Sequence, residues 1–230
     1  PEWLISDLAI MLAGGITVPS YITYTEKDYE FIIDDCEPTI IIVSNQILFN
    51  KLKDVIPKKK FIKKIVLFDE IKKNILSDQI IELKNILSST LNFDENNPII
   101  DLNRKDPACI IYTSGTGGNP KGVVLSHGGI LSNCEGAINL IKPILSSRTR
   151  FLTWLPLSHS YEHTVQFVQI SVGAKIYYAE GIDKLLKNMS ECKPEIMTAV
   201  PRFYQNLYQK INNNFKKQTG FKKKIINATI

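Results

Sequence analysis

Short runs of aliphatic and β-branched residues, each followed by a stretch of helical periodicity, constrain this chain more than any other feature. TIIIVS (39–44), KIVLFD (64–69), AKIYYAE (174–180) and EIMTAVP (195–201) read as strands. Between and around them, EWLISDLAIMLAGG (2–15), TEKDYEFIIDDC (25–36), NQILFNKLKDVI (45–56), GGILSNCEGAINLI (128–141), TVQFVQISVG (164–173), IDKLLKNMSEC (182–192) and RFYQNLYQKI (202–211) carry apolar residues at helical spacing. ITVP (16–19) and RFLTWLPL (150–157) read as further extended segments, and the polar stretch from about Glu70 to Leu91 leans towards helix. Near-continuous apolar strands alternating with helices predict an α/β fold of layered, largely parallel sheets flanked by helices. Thr25 with Asp28 three residues on forms a capping-box start, Gly14 and Gly15 stop the first helix, and Pro38 breaks the second. The linker around NNPIIDLNRKDP divides the chain into a first βα lobe, residues 1–97, and a second, 98–230.

Composition narrows the class. At 230 residues, 44% hydrophobic and 22% charged, the chain is long enough for a packed core and too apolar for disorder. The net charge of +5 comes with lysine clusters in PKKKFIKK (57–64) and FKKQTGFKKK (215–224). No aromatic–basic alternation in them suggests base stacking, so they read as solvated faces and nucleic acid is not the expected partner. Cys36, Cys109, Cys134 and Cys192 form no C-x-x-C pair and read as reduced core thiols rather than a disulfide frame or zinc site. The uncharged LAIMLAGGITVPSYITYT (8–25) is broken by glycines and Pro19 and does not read as a membrane span. With Pro1 first and no terminating signal at Ile230, the sequence is expected to be an internal piece of a longer chain, inactive by itself.

The segment CIIYTSGTGGNPKGVVLSH (109–127) sets an unusual loop between two β-rich runs. NPKG alone makes an adequate turn, so SGTGG is surplus to a hairpin. The mononucleotide loop needs a Ser or Thr directly after its lysine and a helix to follow, whereas Lys121 is followed by Gly122 and VVLS. The dinucleotide fingerprint fails for the same reason. What remains is a phosphate cradle joining strand to strand. Gly115, Gly117 and Gly118 let successive amides converge on an anion, Thr113, Ser114 and Thr116 add hydroxyl donors, and Lys121 supplies a movable charge.

YTSGTGGNPKGVVLSH (112–127) resembles the signature Y-T-S-G-T-T-G-x-P-K-G of the adenylate-forming, AMP-binding superfamily. The resemblance extends to PEWLISDLAIMLAGGITVPSY (1–21), to FLTWLPLSHSYEH (151–163) and to VPRFYQNLYQKI (200–211), the last two looking most like bacterial long-chain fatty-acid–CoA ligases. It implies part of a large N-terminal domain, with the adenine- and ribose-contacting segments and the C-terminal domain outside the sequence. It also implies an ATP-dependent ligase in which a fatty-acid carboxylate attacks the α-phosphorus, pyrophosphate leaves, and coenzyme A takes the acyl group as a thioester.

ATP, Mg²⁺ and coenzyme A are thereby expected, with Lys121, Thr116 and His159 as catalytic candidates. Tyr112, Thr113, Ser114, Gly115, Thr116, Gly117, Gly118, Lys121, His159 and Glu162 are the nucleotide-binding candidates, and Thr116 is the metal contact by analogy with other phosphate loops. Gly117 departs from the signature, standing where a second threonine is usual. His127 and His163 read as structural, and Arg202 as an ion-pairing residue. Adenylation of another carboxylate for loading onto a carrier, and an inactive nucleotide-binding module, stay open. A cytoplasmic location is expected, while peripheral association with the membrane's inner face and oligomeric state stay open.

Overall fold

The computed structural model describes residues 1–70, 77–89, 100–113, 120–146 and 148–220. These pack as two compact units: residues 1–143 with 156–171, and residues 144–155 with 172–230. The lobe boundary expected at 97/98 falls among residues outside the described ones, and the two lobes remain a proposal.

The first unit opens with helix α1, Glu2–Leu12, and helix α2, Glu26–Cys36. The capping box holds as expected: the Thr25 amide donates to Asp28 Oδ2 at 2.8 Å and the Asp28 amide to Thr25 Oγ1 at 3.3 Å. The helix ends on Glu37 in the left-handed region, φ 42°, just before Pro38. Strand β1, Ile40–Val43, helix α3, Gln46–Leu52, and strand β2, Lys64–Leu67, follow. Both α3 and the connection to β2 depart from expectation, because the helix stops at Leu52 and a 3₁₀ turn, Ile56–Lys58, with Pro57 inside it, occupies the predicted last turn. The helix-leaning reading of 70–91 also needs correction: strand β3, Ile80–Glu82, precedes a six-residue helix α4, Leu83–Ser88. A three-residue strand among polar residues has no periodic signal; its partner β2 supplies the ladder.

β1, β2 and β3 form one parallel sheet in that order, with Ile40 opposite Lys64 and Ile65 opposite Ile80. Parallel neighbours require a crossover, which α3 provides between β1 and β2. Tyr29, Ile33, Val43, Phe49, Leu52, Ile56, Ile65 and Leu67 close a core between α2, α3 and this sheet.

Strands β4, Pro107–Thr113, and β5, Lys121–Ser126, form an antiparallel pair, with Tyr112 opposite Gly122 and Thr113 opposite Lys121. ITVP makes no strand of its own. Thr17 forms a single bridge to Cys109, its amide donating to the Ala108 carbonyl and its carbonyl accepting from Ile110. β5 runs into helix α5, His127–Ile141, capped by the Ser126 hydroxyl accepting from the Gly129 amide at 3.1 Å. Gly128 is required here, since a Cβ would lie 2.6 Å from the Arg104 carbonyl oxygen. Helix α6, Ser160–Ser171, completes the unit. Met11, Ala108, Cys109, Ile111, Ile130, Cys134 and Val168 form its second core, which draws together α1, β4, α5 and α6. Burial pushes the Cys109 thiol up to about 12 and Cys36 up to about 11, well away from a reactive thiolate. All four cysteines are free thiols.

The second unit is a parallel sheet with strand β6, Arg150–Thr153, at its centre. Strand β7, Lys175–Tyr178, lies on one side and the two-residue strand β8, Ile196–Met197, on the other. The sequence expectation of a longer strand at 195–201 is corrected: only two residues pair with β6, at Phe151 and Leu152. Helix α7, Leu185–Cys192, ends on Lys193 at φ 46° before Pro194, repeating the turn at Glu37–Pro38. Helix α8, Pro201–Lys216, follows with Pro201 at its start, where the missing amide costs nothing.

Candidate nucleotide site

The β4–β5 hairpin places the loop of interest. Side chains alternate across a strand, so Tyr112 and Gly122 share one face and Thr113 and Lys121 the other. Tyr112 is buried, 3% exposed, whereas Thr113 and Lys121 are exposed. The loop therefore leaves and re-enters the sheet at one rung, and that rung presents a hydroxyl opposite an ammonium. This is the strand-to-strand setting the sequence required. Ser114, Gly115, Thr116, Gly117 and Gly118 lie outside the described residues.

On the face opposite Thr113 the buried Tyr112 reaches the exposed Asp35: its hydroxyl donates to Oδ2 at 2.5 Å, across a separation of 77 residues. Desolvation, followed by this bond to the carboxylate, holds the phenol well above its ordinary value, so it stays a donor. Gly122 makes room for the ring: a Cβ there would sit 3.3 Å from Tyr112 Cζ and 2.8 Å from Ile110 Cγ2.

The second motif lies where the chain enters α6. His159 is exposed and its Nδ1 accepts from the Tyr161 amide at 3.2 Å. That bond satisfies one amide of the helix start and, in the neutral ring, places the proton on Nε2. Glu162 is fully buried in the first turn of α6, where a carboxylate suits the helix dipole. His163 is 2% exposed, its Nε2 2.8 Å from Asp7 Oδ2 on α1, with Trp3 edge-on and Phe167 tilted against the ring. The structural reading of His163 fits this enclosure. His127 is the first residue of α5, its amide donating to the Asp106 carbonyl at 3.0 Å. Arg202 is exposed in the first turn of α8 and, among the described residues, makes no ion pair.

Asp7 and Asp35 were not found by sequence reasoning. A single aspartate on a helix carries no motif, and both partners are remote in sequence. Asp35 alone left a trace: with Asp34 and Glu37 it crowds the C-terminal end of α2, whose last turn holds no basic residue, although Lys59 from outside the helix pairs with Asp34 at 2.5 Å.

No group of three or more His, Cys, Asp or Glu able to hold a metal ion occurs among the described residues. Nor is any helix among them long and apolar enough to cross a membrane.

The antiparallel β4–β5 pair thus flanks the glycine-rich, lysine-closed segment of the sequence, strand to strand. The AMP-binding enzyme family matches residues 1–226, and the chain belongs to that family. It is 30% identical over 244 residues to long-chain-fatty-acid–CoA ligase 5 of Rattus norvegicus, covering all of this chain and 35% of that protein. It is likewise 30% identical over 239 residues to long chain acyl-CoA synthetase 3 of Arabidopsis thaliana, covering 99% of this chain and 35% of that one. The chain thus spans about a third of the length of these relatives.

Among solved structures, ATP-bound MatB from Rhodopseudomonas palustris superposes with a TM-score of 0.71 at 24% identity, over 90% of this chain and 39% of that one. The o-succinylbenzoate CoA synthetase of Bacillus subtilis, in complex with an acyl-adenylate intermediate, superposes with a TM-score of 0.65 at 17% identity, over 90% and 48%. At these identities both show the shared fold.

Proposed function

We propose that the protein carrying this chain is an AMP-forming acyl-CoA ligase acting on long-chain fatty acids, and that this chain supplies its nucleotide-phosphate site. The observation that carries the reading is the Thr113–Lys121 rung at the mouth of the glycine-rich loop, in a chain of the AMP-binding family. The relatives named above support the substrate class.

In the first half-reaction a carboxylate oxygen bonds to the α-phosphorus of ATP, and the bond to the β-phosphate oxygen breaks with its electrons leaving on pyrophosphate. In the second, the sulfur of coenzyme A bonds to the acyl carbon and AMP leaves. The protein's task in the first step is positioning and neutralising charge on the departing pyrophosphate. Lys121 suits this as a mobile ammonium at a fixed base, and Thr113 as a hydroxyl donor beside it. His159, with Nε2 protonated and exposed, is assigned to orienting the acyl-adenylate. Glu162 is enclosed and serves the start of α6. Mg²⁺ bound with ATP would supply further neutralisation of phosphate charge, with Thr116 as the residue that would contact it. Ser114, Thr116 and the glycines keep their proposed phosphate contacts, Thr116 its proposed metal contact, and the cytoplasmic, membrane-peripheral setting belongs to the same proposal.

Fatty-acid-dependent ATP–pyrophosphate exchange by the full-length gene product tests this directly. Lys121→Ala is expected to lower exchange by about 10²-fold or more, the scale for losing one charge-stabilising group. Exchange supported only by an aryl or amino acid would reassign the substrate. No exchange with any carboxylate would leave a nucleotide-binding module instead.

A further inference from the structure

We propose that Asp35 is a positioning residue for nucleotide binding: from the end of α2 it holds Tyr112, and through Tyr112 it fixes the Thr113–Lys121 rung. The proposal rests on reading the loop as a phosphate site, and goes beyond it by assigning a residue outside any motif.

Three observations converge. First, the only described hydrogen bond from the Tyr112 hydroxyl is the one to Asp35 Oδ2, at 2.5 Å, within a ring 3% exposed. Second, Asp35 occupies a place its own helix disfavours. The carbonyl end of α2 disfavours a carboxylate, and Glu37 adds like charge; Lys59 answers the neighbouring Asp34, its Nζ 2.5 Å from Oδ1, which leaves exposed Asp35 to Tyr112. A residue that breaks a local rule is accounted for by a tertiary partner, and Tyr112 is that partner. Third, Gly122 lies opposite Tyr112 and leaves no space for a side chain, so the ring is held between the β5 backbone and α2.

The next rung is Thr113 with Lys121. Tyr112 is therefore the last anchored side chain of β4, one residue before the strand ends at Thr113. Loosening that anchor leaves the lysine in place but lets its base wander. Binding must then order the hairpin end as well as the ligand, and small displacements of a charge-stabilising group are costly in affinity and rate.

The test uses the full-length gene product with two readouts: calorimetric Kd for ATP and for pyrophosphate, and KM values in exchange. Asp35→Ala and Tyr112→Phe are each expected to raise Kd and KM for ATP about tenfold, the size of one lost hydrogen bond to a charged group. The fatty-acid KM should stay unchanged, and the double variant should be no worse than the poorer single one, as two members of one contact require. Asp35→Asn, which keeps an acceptor oxygen in place, should remain within about threefold of wild type. An Asp35→Ala protein with lowered Tm but unchanged Kd for ATP and pyrophosphate would reduce the contact to fold maintenance and overturn the proposal. So would additive effects in the double variant. A wild-type protein that binds neither ATP nor pyrophosphate would overturn the loop reading and this inference together. One that binds both but exchanges with no carboxylate would overturn only the ligase reading, and the Kd values of the Asp35 variants would still decide the role of Asp35.

Discussion

A methyl group on residue 122 has nowhere to go. It would stand 2.8 Å from Ile110 Cγ2 and 3.3 Å from the Tyr112 ring, on strands already committed to their register. Gly122→Ala should therefore act as an overpacking substitution, destabilising by about 1–3 kcal/mol. The expected result is a lower urea midpoint at unchanged slope; a variant as stable as wild type would mean that the ring has another seat. The last glycine of the signature is thus explained by packing, while its tyrosine and lysine carry the anchor and the charge. The sequence singled these residue types out as the proposed phosphate cradle, because backbone freedom, hydroxyls and a lysine are a local pattern. It did not show Asp35 or Asp7, whose partners lie 77 and 156 residues away. A contact of that kind leaves no periodicity and no spacing to read.

Short strands need help from side chains, and β8 shows how. Two residues pair with β6, and just before them Glu195 reaches back to the first residue of β6. Its carboxylate accepts from the Arg150 amide at 2.7 Å, from Nε at 3.1 Å and from Nη2 at 2.5 Å. The Arg150 side chain first, then its backbone amide, holds the Glu195 carboxyl down to about 2 against an ordinary 4.5. With the folded value depressed, the stabilisation is complete above about pH 4.5 and is lost as pH falls towards 2. Trp154, whose Nε1 donates to the Thr198 carbonyl at 2.7 Å, reports on this unit, and Trp3→Phe removes the other tryptophan. In that background the urea midpoint followed by Trp154 fluorescence should fall between pH 4.5 and 2, and Glu195→Gln should flatten the fall. An unchanged pH profile in Glu195→Gln would assign the acid sensitivity elsewhere. At this scale the sequence was legible wherever local chemistry decides. The capping box at Thr25, the stop at Pro38 and strands within the apolar runs at 39–44 and 64–69 stand as read. It was illegible where a ladder partner decides, as at β3 and β8.

The chain passes between its two compact units at 143/144, 155/156 and 171/172, so no single cut separates them. The fold class was legible from strand–helix alternation, but this interleaving was not, because α6 looks like any crossover helix until its buried face is seen. That face brings Val168 to the core shared with Met11, Cys109 and Ile130, and brings His163 to Asp7. A fragment of residues 1–143 would keep the hairpin and α5 yet lose that wall of the core. It would also leave the Asp7 carboxylate, 5% exposed in the chain, without its partner. An unsatisfied buried charge and an opened core each cost on the order of a few kcal/mol, comparable to the whole stability of a domain. Residues 1–143 should therefore show no cooperative thermal transition, whereas residues 1–171 should melt cooperatively; the same sharp transition in both would show that α6 is dispensable. A cut at 97/98 should be worse still, since it severs the Thr17–Cys109 bridge and the Asp35–Tyr112 bond as well as the Asp7–His163 pair. On that expectation the first proposed lobe, residues 1–97, folds only together with the β4–β5 pair, α5 and α6 of the same compact unit.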